Sequence, residues 1–165
     1  MERKIILLNG PSSSGKSSLS KALKKLIADE RSERYEIVSI DDHMKVSTSE
    51  TIYEDDVFEI SGEMCEKVLE HYDSGAGVII DHVITSERIY DELLRMIGED
   101  RLFTVHIKCP LEVILEREKA RGDRCVGSAE ASYTYLYPKE GYDMEVDTSI
   151  ISSEEAAQKI FNSLF

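Results

Sequence analysis

The sequence has few of the features that mark secreted, metal-binding or membrane proteins. Its three cysteines, Cys65, Cys109 and Cys125, lie far apart and include no C-x-x-C pair, which argues against a disulfide framework and a zinc site. Only four apolar residues separate the charged N-terminus from Asn9, fewer than a signal peptide needs, and no later apolar run could span a bilayer. We therefore expect a cytoplasmic protein without a membrane segment.

Positive charge is also scarce. The formal net charge is −13, with 20 Lys and Arg against 33 Asp and Glu. The imbalance is uneven, because residues 1–35 carry eight basic and four acidic side chains, whereas residues 36–165 carry twelve and twenty-nine. Because an acidic surface repels a polyanion, this composition disfavours binding to extended nucleic acid and favours a small-molecule partner.

The chain contains no internal repeat, no linker and no low-complexity segment. Its 165 residues, of which 41% are hydrophobic, are enough for one domain with a core. Short apolar runs alternate with helical periodicity, which predicts a single α/β domain over residues 1–165 with helices on both faces of a parallel sheet. Whether that domain is a monomer or a homodimer stays open.

The N-terminal stretch carries the clearest signal. The apolar run at residues 5–8 leads into Gly10-x-x-x-x-Gly15-Lys16-Ser17, and a helical pattern follows. This spacing is a P-loop, in which glycines let backbone N–H groups wrap a phosphate chain. Lys16 can reach the β- and γ-phosphates, and Ser17 can offer its hydroxyl to Mg²⁺ at the positive end of the helix dipole. The predicted nucleotide-binding residues of this loop are Gly10, Pro11, Ser12, Ser13, Ser14, Gly15, Lys16, Ser17 and Ser18.

Carboxylates follow the next two predicted strands. Asp41 and Asp42 end the second strand, and Asp81 ends the third. Ligands of an open α/β sheet bind at the carboxyl ends of its strands, so we expect these side chains near the P-loop. Asp81 has the position of the carboxylate that holds Mg²⁺ in P-loop proteins, which makes Ser17 and Asp81 the predicted metal residues. Asp41 either caps the following turn or acts on the substrate. If the register of the second strand shifted by one residue, Asp42 would take the role of Asp41.

The rest of the chain predicts further alternating elements. Strands are expected at residues 5–8, 36–40, 78–80, 102–107 and 142–147, and helices at 16–29, 57–72, 86–97, 111–120 and from the Ser152 cap to about 164. Residues 45–56 show no clear period and are predicted to be a loop. Residues 126–139, with three tyrosines at alternating positions, fit either a helix or an extended segment.

Three arginines cluster at the end of the helix predicted over residues 111–120. Arg117 and Arg121 are one helical turn apart, and Gly122 allows a turn that brings Arg124 back towards them. The cluster could be a solvated helix end. Arginine binds phosphate bidentately, however, and three of them together in so acidic a chain favour anion recognition.

Together these features resemble the chloramphenicol phosphotransferase family of small P-loop kinases. The resemblance covers nearly the whole chain and rests on IILLNGPSSSGKS ending at Ser17, on residues 78–81, and most specifically on REKARGDR (117–124) with YDMEVDT (142–148). It implies a three-layer α/β P-loop NTPase fold with a five-stranded parallel sheet in the order 2-3-1-4-5. It also implies MgATP as phosphoryl donor, a small-molecule hydroxyl as acceptor, and a mobile arginine-bearing lid at about residues 117–138.

The resemblance also assigns roles to single residues. It matches Asp41 to the family's proposed base, which activates the acceptor hydroxyl, and it places Arg117, Arg121 and Arg124 in the lid. Phosphoryl transfer depends mainly on positioning and charge neutralisation, which agrees with these roles. The predicted catalytic residues are Lys16, Asp41, Arg121 and Arg124, and Arg117 is predicted to bind the nucleotide.

Residues 42–62 depart from the family pattern. His43, Met44 and Lys45, followed by an acidic run to Glu59, replace the small apolar stretch expected after the base. This run is either an acidic solvated face or part of a site for a polar or cationic acceptor. Two other functions stay open: a nucleoside, nucleotide or nucleic-acid-end kinase, which would share the loop, lid and carboxylate, and a nucleotide-binding regulatory ATPase.

Overall fold

A computed structural model describes residues 5–44, 53–123 and 127–165. It contains a parallel five-stranded sheet with the spatial order β2-β3-β1-β4-β5. The strands are β1 Ile5–Asn9, β2 Tyr35–Ser39, β3 Gly77–His82, β4 Leu102–Lys108 and β5 Met144–Asp147. The predicted fold class and strand order are therefore confirmed.

The central strand β1 places the P-loop between its neighbours. All five residues of β1 are buried, as expected for a parallel strand with helices on both faces. Its register pairs Leu8 with Asp81 and Asn9 with His82 on β3. The start of the P-loop therefore lies beside the carboxyl end of β3, where Asp81 stands.

The described residues form seven α-helices, and four of them cover the sheet. One core lies between the sheet and α3 and α4, and the other lies between the sheet and α1 and α7. The helices are α1 Lys16–Arg31, α2 Ile40–His43, α3 Glu54–Asp73, α4 Glu87–Ile97, α5 Leu111–Arg121, α6 Ser128–Tyr135 and α7 Ser153–Leu164. Within the described ranges, no helix is both long and apolar enough to cross a bilayer.

The region around Asp41 differs from the predicted strand. β2 ends at Ser39, and Ile40–His43 forms the short helix α2 instead of continuing the strand to residue 40. The Ser39 hydroxyl accepts the N–H of Asp41 at 3.3 Å, which is a typical N-cap contact. Asp41 therefore projects from a helical turn that follows the strand.

Three other boundaries refine the prediction. α3 begins at Glu54, inside the predicted loop. Three acidic residues in its first turn lie at the positive end of its dipole. Residues 45–52 of the predicted loop lie outside the described ranges. The segment 126–139, which fitted two conformations, contains the helix α6. β5 is shorter than predicted and starts at Met144. The Ser152 cap is present, since its hydroxyl accepts the N–H of Glu155 at 3.1 Å.

Gly62 offers a test of helix stability away from the site. It lies inside α3, and a Cβ built there meets nothing within 4 Å. Because glycine costs a helix interior about 1 kcal/mol relative to alanine, we expect Gly62→Ala to raise the free energy of unfolding by about that amount. Urea unfolding of both proteins measures the change. As the opposite case, Gly77→Ala places a Cβ against the ring of Tyr35 and should lower the free energy of unfolding. An equal decrease of the free energy of unfolding in both variants would contradict the prediction.

Candidate active site

Two positions of the P-loop require glycine for different reasons. Gly10 packs against β4, and a Cβ there would lie only 2.7 Å from the carbonyl oxygen of Ile107. Gly15 has a φ of 90°, in the left-handed region that favours glycine, and immediately precedes α1. The loop borders a cavity of about 620 Å³, which the N-terminal end of α1 faces through Lys16 and Ser17.

Lys16 is held by oxygens of its own loop. Its side chain is 5% exposed, and Nζ donates to the carbonyl oxygen of Pro11 at 2.8 Å and contacts the Ser14 hydroxyl at 3.5 Å. These contacts hold the ammonium group beside the cavity that Lys16 lines.

Ser17 and Asp81 form a hydrogen-bonded pair at the cavity. The Ser17 hydroxyl donates to Oδ2 of Asp81 at 3.2 Å, joining the start of α1 to the end of β3. Burial raises the pKa of the Asp81 carboxyl, and the charges of Asp41 and Asp42 raise it further, whereas Lys16 and the Ser17 hydrogen bond act in the opposite direction. A cation bound here would remove the cost of keeping this buried carboxylate charged.

Asp41 reaches the same cavity from α2. It is exposed and lines the cavity together with Lys16, Ser17 and Asp81. Of the two neighbouring aspartates, only Asp41 is among the described residues that line it. The structure thus brings together four of the residues that the sequence predicted from two separate rules, the P-loop spacing and the strand-end position.

The predicted arginines take different positions. Arg117 donates from Nη2 to the carbonyl oxygen of Thr148 at 3.0 Å, and the Thr148 hydroxyl donates to the carbonyl oxygen of Ser14 at 2.6 Å. Arg121 lines the cavity, and its Nε pairs with Asp123 at 3.2 Å. Arg124 lies outside the described residues. Arg117 is therefore linked to the P-loop through Thr148.

Several residues of the cavity were not predicted. They come from the residue after β3, from α5, from the connection between β5 and α7 and from the first residue of α7: Val83, Ala120, Thr148, Ile151, Ser152 and Ser153. Thr148 follows the last residue of β5, so the strand-end rule that found Asp41 and Asp81 would have found it as well.

Two buried polar residues brace this edge of the sheet. His82 accepts the N–H of Val83 at Nδ1 (2.8 Å), so Nε2 carries the proton and donates to the Ser61 hydroxyl at 2.9 Å. Burial and the charge of Lys16 lower the pKa of His82 to about 3, which keeps this imidazole neutral. It ties β3 to α3 and does not line the cavity.

Asn9 is the second brace. Its side chain is fully buried and makes three hydrogen bonds: Oδ1 accepts the N–H of Ile84 at 2.9 Å, and Nδ2 donates to the Tyr137 carbonyl at 3.0 Å and the Tyr142 hydroxyl at 2.9 Å. Burial raises the pKa of Tyr142, so its hydroxyl stays protonated and donates to the Pro138 carbonyl at 2.7 Å. The residue before the P-loop thus fixes segments that follow β3 and α6.

Comparison with known families decides the classification. The model of a family described as chloramphenicol phosphotransferase-like protein matches residues 3–165. The chain belongs to the chloramphenicol phosphotransferase-like family. The resemblance drawn from the sequence motifs is confirmed.

A curated relative and two solved structures are similar to this chain. "Putative O-phosphotransferase Rv2636" of Mycobacterium tuberculosis is 28% identical over 185 aligned positions, covering 98% of this chain and 82% of the relative. One similar solved structure is the APS kinase CysC of Mycobacterium tuberculosis in complex with AMPPNP and APS, with a TM-score of 0.79, 18% identity and 99% of each chain covered. Another is a gluconokinase of Sinorhizobium meliloti, with a TM-score of 0.64, 18% identity, and 99% of this chain and 98% of the other covered. Family and fold together make the chain an enzyme, a phosphotransferase of the P-loop kinase type.

Proposed function

We propose that the protein transfers the γ-phosphoryl group of MgATP to a hydroxyl group of a small molecule. The observation that carries this proposal is the convergence of Lys16, Ser17, Asp81 and Asp41 on one cavity of about 620 Å³. The first three suit a phosphate chain and its metal ion, and the fourth is a second carboxylate, which the proposal assigns to the acceptor. A kinase needs these two halves side by side.

The donor half would extend from the P-loop along α5. The P-loop residues would hold the phosphates through backbone N–H groups and Lys16. Arg117, Thr148 and Ile151 also line the cavity. The nucleoside would lie beside these residues. The AMPPNP complex of the similar APS kinase supports an adenine nucleotide as the donor.

The donor atoms of Ser17 and Asp81 fit Mg²⁺. Their oxygens are 3.2 Å apart, close to the separation of about 3 Å between adjacent ligands of an octahedral magnesium ion. Magnesium prefers few protein oxygens together with water and phosphate oxygens, and one hydroxyl with one carboxylate meets that preference. When bound, the ion would supply positive charge at the phosphate oxygens.

The chain's own groups would perform the remaining work. Asp41 would accept the proton of the acceptor hydroxyl and orient its oxygen towards the γ-phosphoryl group. Lys16 would neutralise charge on the transferred group, and Arg121 and Arg124 of the proposed lid would contribute further positive charge. Arg117 would hold the nucleotide.

The acceptor is proposed to be a small molecule. The net charge of −13 opposes binding to extended nucleic acid. We place the enzyme in the cytoplasm, where ATP is available and where two buried thiols, Cys65 and Cys109, would stay free as they are in the structure. The whole chain is proposed to act as one kinase domain with a lid at about residues 117–138, as a monomer or a homodimer.

A product screen tests the proposal. The protein is incubated with MgATP and single members of a panel of sugars, amino alcohols, antibiotics and nucleosides, and mass spectrometry detects the addition of one phosphoryl group. We expect a phosphorylated alcohol that is absent when Lys16→Ala replaces the wild-type protein. A phosphorylated nucleoside or nucleotide would support the other kinase interpretation. Release of phosphate without any phosphorylated acceptor would overturn the proposal in favour of a regulatory ATPase.

A further inference from the structure

Glu118 is a buried carboxylate within the arginine-bearing helix α5. It is 7% exposed, although its neighbours Arg117 and Lys119 point to the cavity and to solvent. Its two oxygens accept backbone N–H groups from the next helix: Oε2 from Ala129 at 2.7 Å and Oε1 from Gly127 at 3.3 Å. The carboxylate therefore joins α5 to α6.

The start of α6 needs such an acceptor. Its N-cap residue is Gly127, which has no side chain to satisfy the first N–H groups of the helix. A negative charge at this end also interacts favourably with the helix dipole. Glu118, from a different helix, thus replaces the local cap that the sequence of α6 lacks.

The body of α6 is bonded to the P-loop, and the segment after α6 is bonded to the residues that follow β3. The Ser132 hydroxyl accepts the N–H of Ser12 in the P-loop at 3.0 Å and donates to the Ala129 carbonyl at 2.9 Å. After the helix, the Tyr137 N–H donates to the Ile84 carbonyl at 2.9 Å. Residues 127–137, which we term the strap, therefore contact the P-loop at Ser12 and have one end held by Glu118.

We infer that Glu118 is a positioning residue of the phosphotransferase reaction. Within the proposed lid, it fixes the strap on Ser12, so that the lid and the P-loop hold one relative geometry at the moment of phosphoryl transfer. Glu118 does not line the cavity and acts only through α6. The kinetic part of this inference rests on the proposed function, whereas the contact between strap and P-loop does not.

Amide exchange at Ser12 tests the contact without any substrate. In the ligand-free protein, NMR should show the Ser12 amide exchanging about tenfold faster in Glu118→Leu than in wild type, as expected for the loss of one hydrogen bond. Ser132→Ala should give a similar increase, and the double variant should add little to it. The matched control is Glu116→Leu, an exposed position on the same helix, which should leave Ser12 unchanged.

Glu118→Gln keeps the measurement decisive if the leucine variant fails to fold. It retains one acceptor oxygen, so we expect an increase in Ser12 exchange smaller than tenfold but above that of Glu116→Leu. Unchanged exchange at Ser12 in the folded Glu118 variants, with faster exchange in Ser132→Ala, would overturn the inference.

Steady-state kinetics then separate a positioning role from a purely structural one. Once an acceptor is known, Glu118→Leu or Glu118→Gln should lower kcat, by about tenfold for leucine, while the KM for ATP changes by less than about twofold. A lower melting temperature with wild-type kcat would mean a structural role only and overturn the inference. Failure to find any acceptor would count against the proposed function and leave the Ser12 result standing.

Discussion

Lys16→Ala should lower kcat/KM for phosphoryl transfer by about 10³-fold while the protein stays folded. Among the described residues, Lys16 is the only lysine that lines the cavity, and Pro11 and Ser14 of the P-loop hold its ammonium group. A fixed charge placed where negative charge develops stabilises the transition state, so losing it should slow phosphoryl transfer strongly. Initial rates with MgATP and the acceptor found by screening measure the effect.

Two controls accompany this variant. Lys25→Ala removes an exposed lysine of the same helix, whose ion pair with Asp29 lies on the surface, and should keep wild-type kinetics. Lys16→Arg keeps the charge, yet its planar guanidinium differs in shape from the ammonium that Pro11 and Ser14 now hold, so activity should stay well below wild type. Full activity in Lys16→Ala, with circular dichroism showing a native fold, would refute the assignment of the phosphate site.

Asp41→Asn should reduce kcat by about 10²-fold with little change in nucleotide affinity. The amide keeps the size of the side chain but can no longer accept the proton of the attacking hydroxyl. Nucleotide affinity should persist, because the P-loop, Lys16 and the Ser17–Asp81 pair are untouched. Single-turnover rates and calorimetric titration with a non-hydrolysable ATP analogue separate the two quantities.

Asp42→Asn is the matched comparison for the base. Asp42 is adjacent and exposed as well, but it does not line the cavity with Asp41. We expect it to keep most of the activity. The opposite result, a loss of about 10²-fold in Asp42→Asn and near wild-type activity in Asp41→Asn, would make Asp42 the base. Such a result would agree with a one-residue shift at the end of β2.

The local parts of the site could be predicted from the sequence. The P-loop is set by spacing within a few residues, and Asp41 and Asp81 follow apolar runs that became β2 and β3. The strand order came from the family resemblance. The helical turn at Asp41 was not predicted, because four residues are too few to show a helical period, although Ser39 before two aspartates is itself a helix-start signal.

The contacts that hold the site together could not be predicted in this way. Thr148 bonds to Ser14 across 134 positions of sequence, and Ser132 bonds to Ser12 across 120. No local period reports such pairs, because they depend on which loops the sheet order brings together. Glu118 left a weak signal, since it lies four residues after the buried Ile114 and therefore on the inner face of α5.

Asn9 also limits where this chain can vary in length. Its buried amide bonds to Ile84, Tyr137 and Tyr142, so the connections after β3 and after α6 must end at fixed points. Inserting or deleting a residue there would leave part of a buried amide without its partner, at a cost of about 1–3 kcal/mol. Changes in length are therefore expected in segments that Asn9 does not hold.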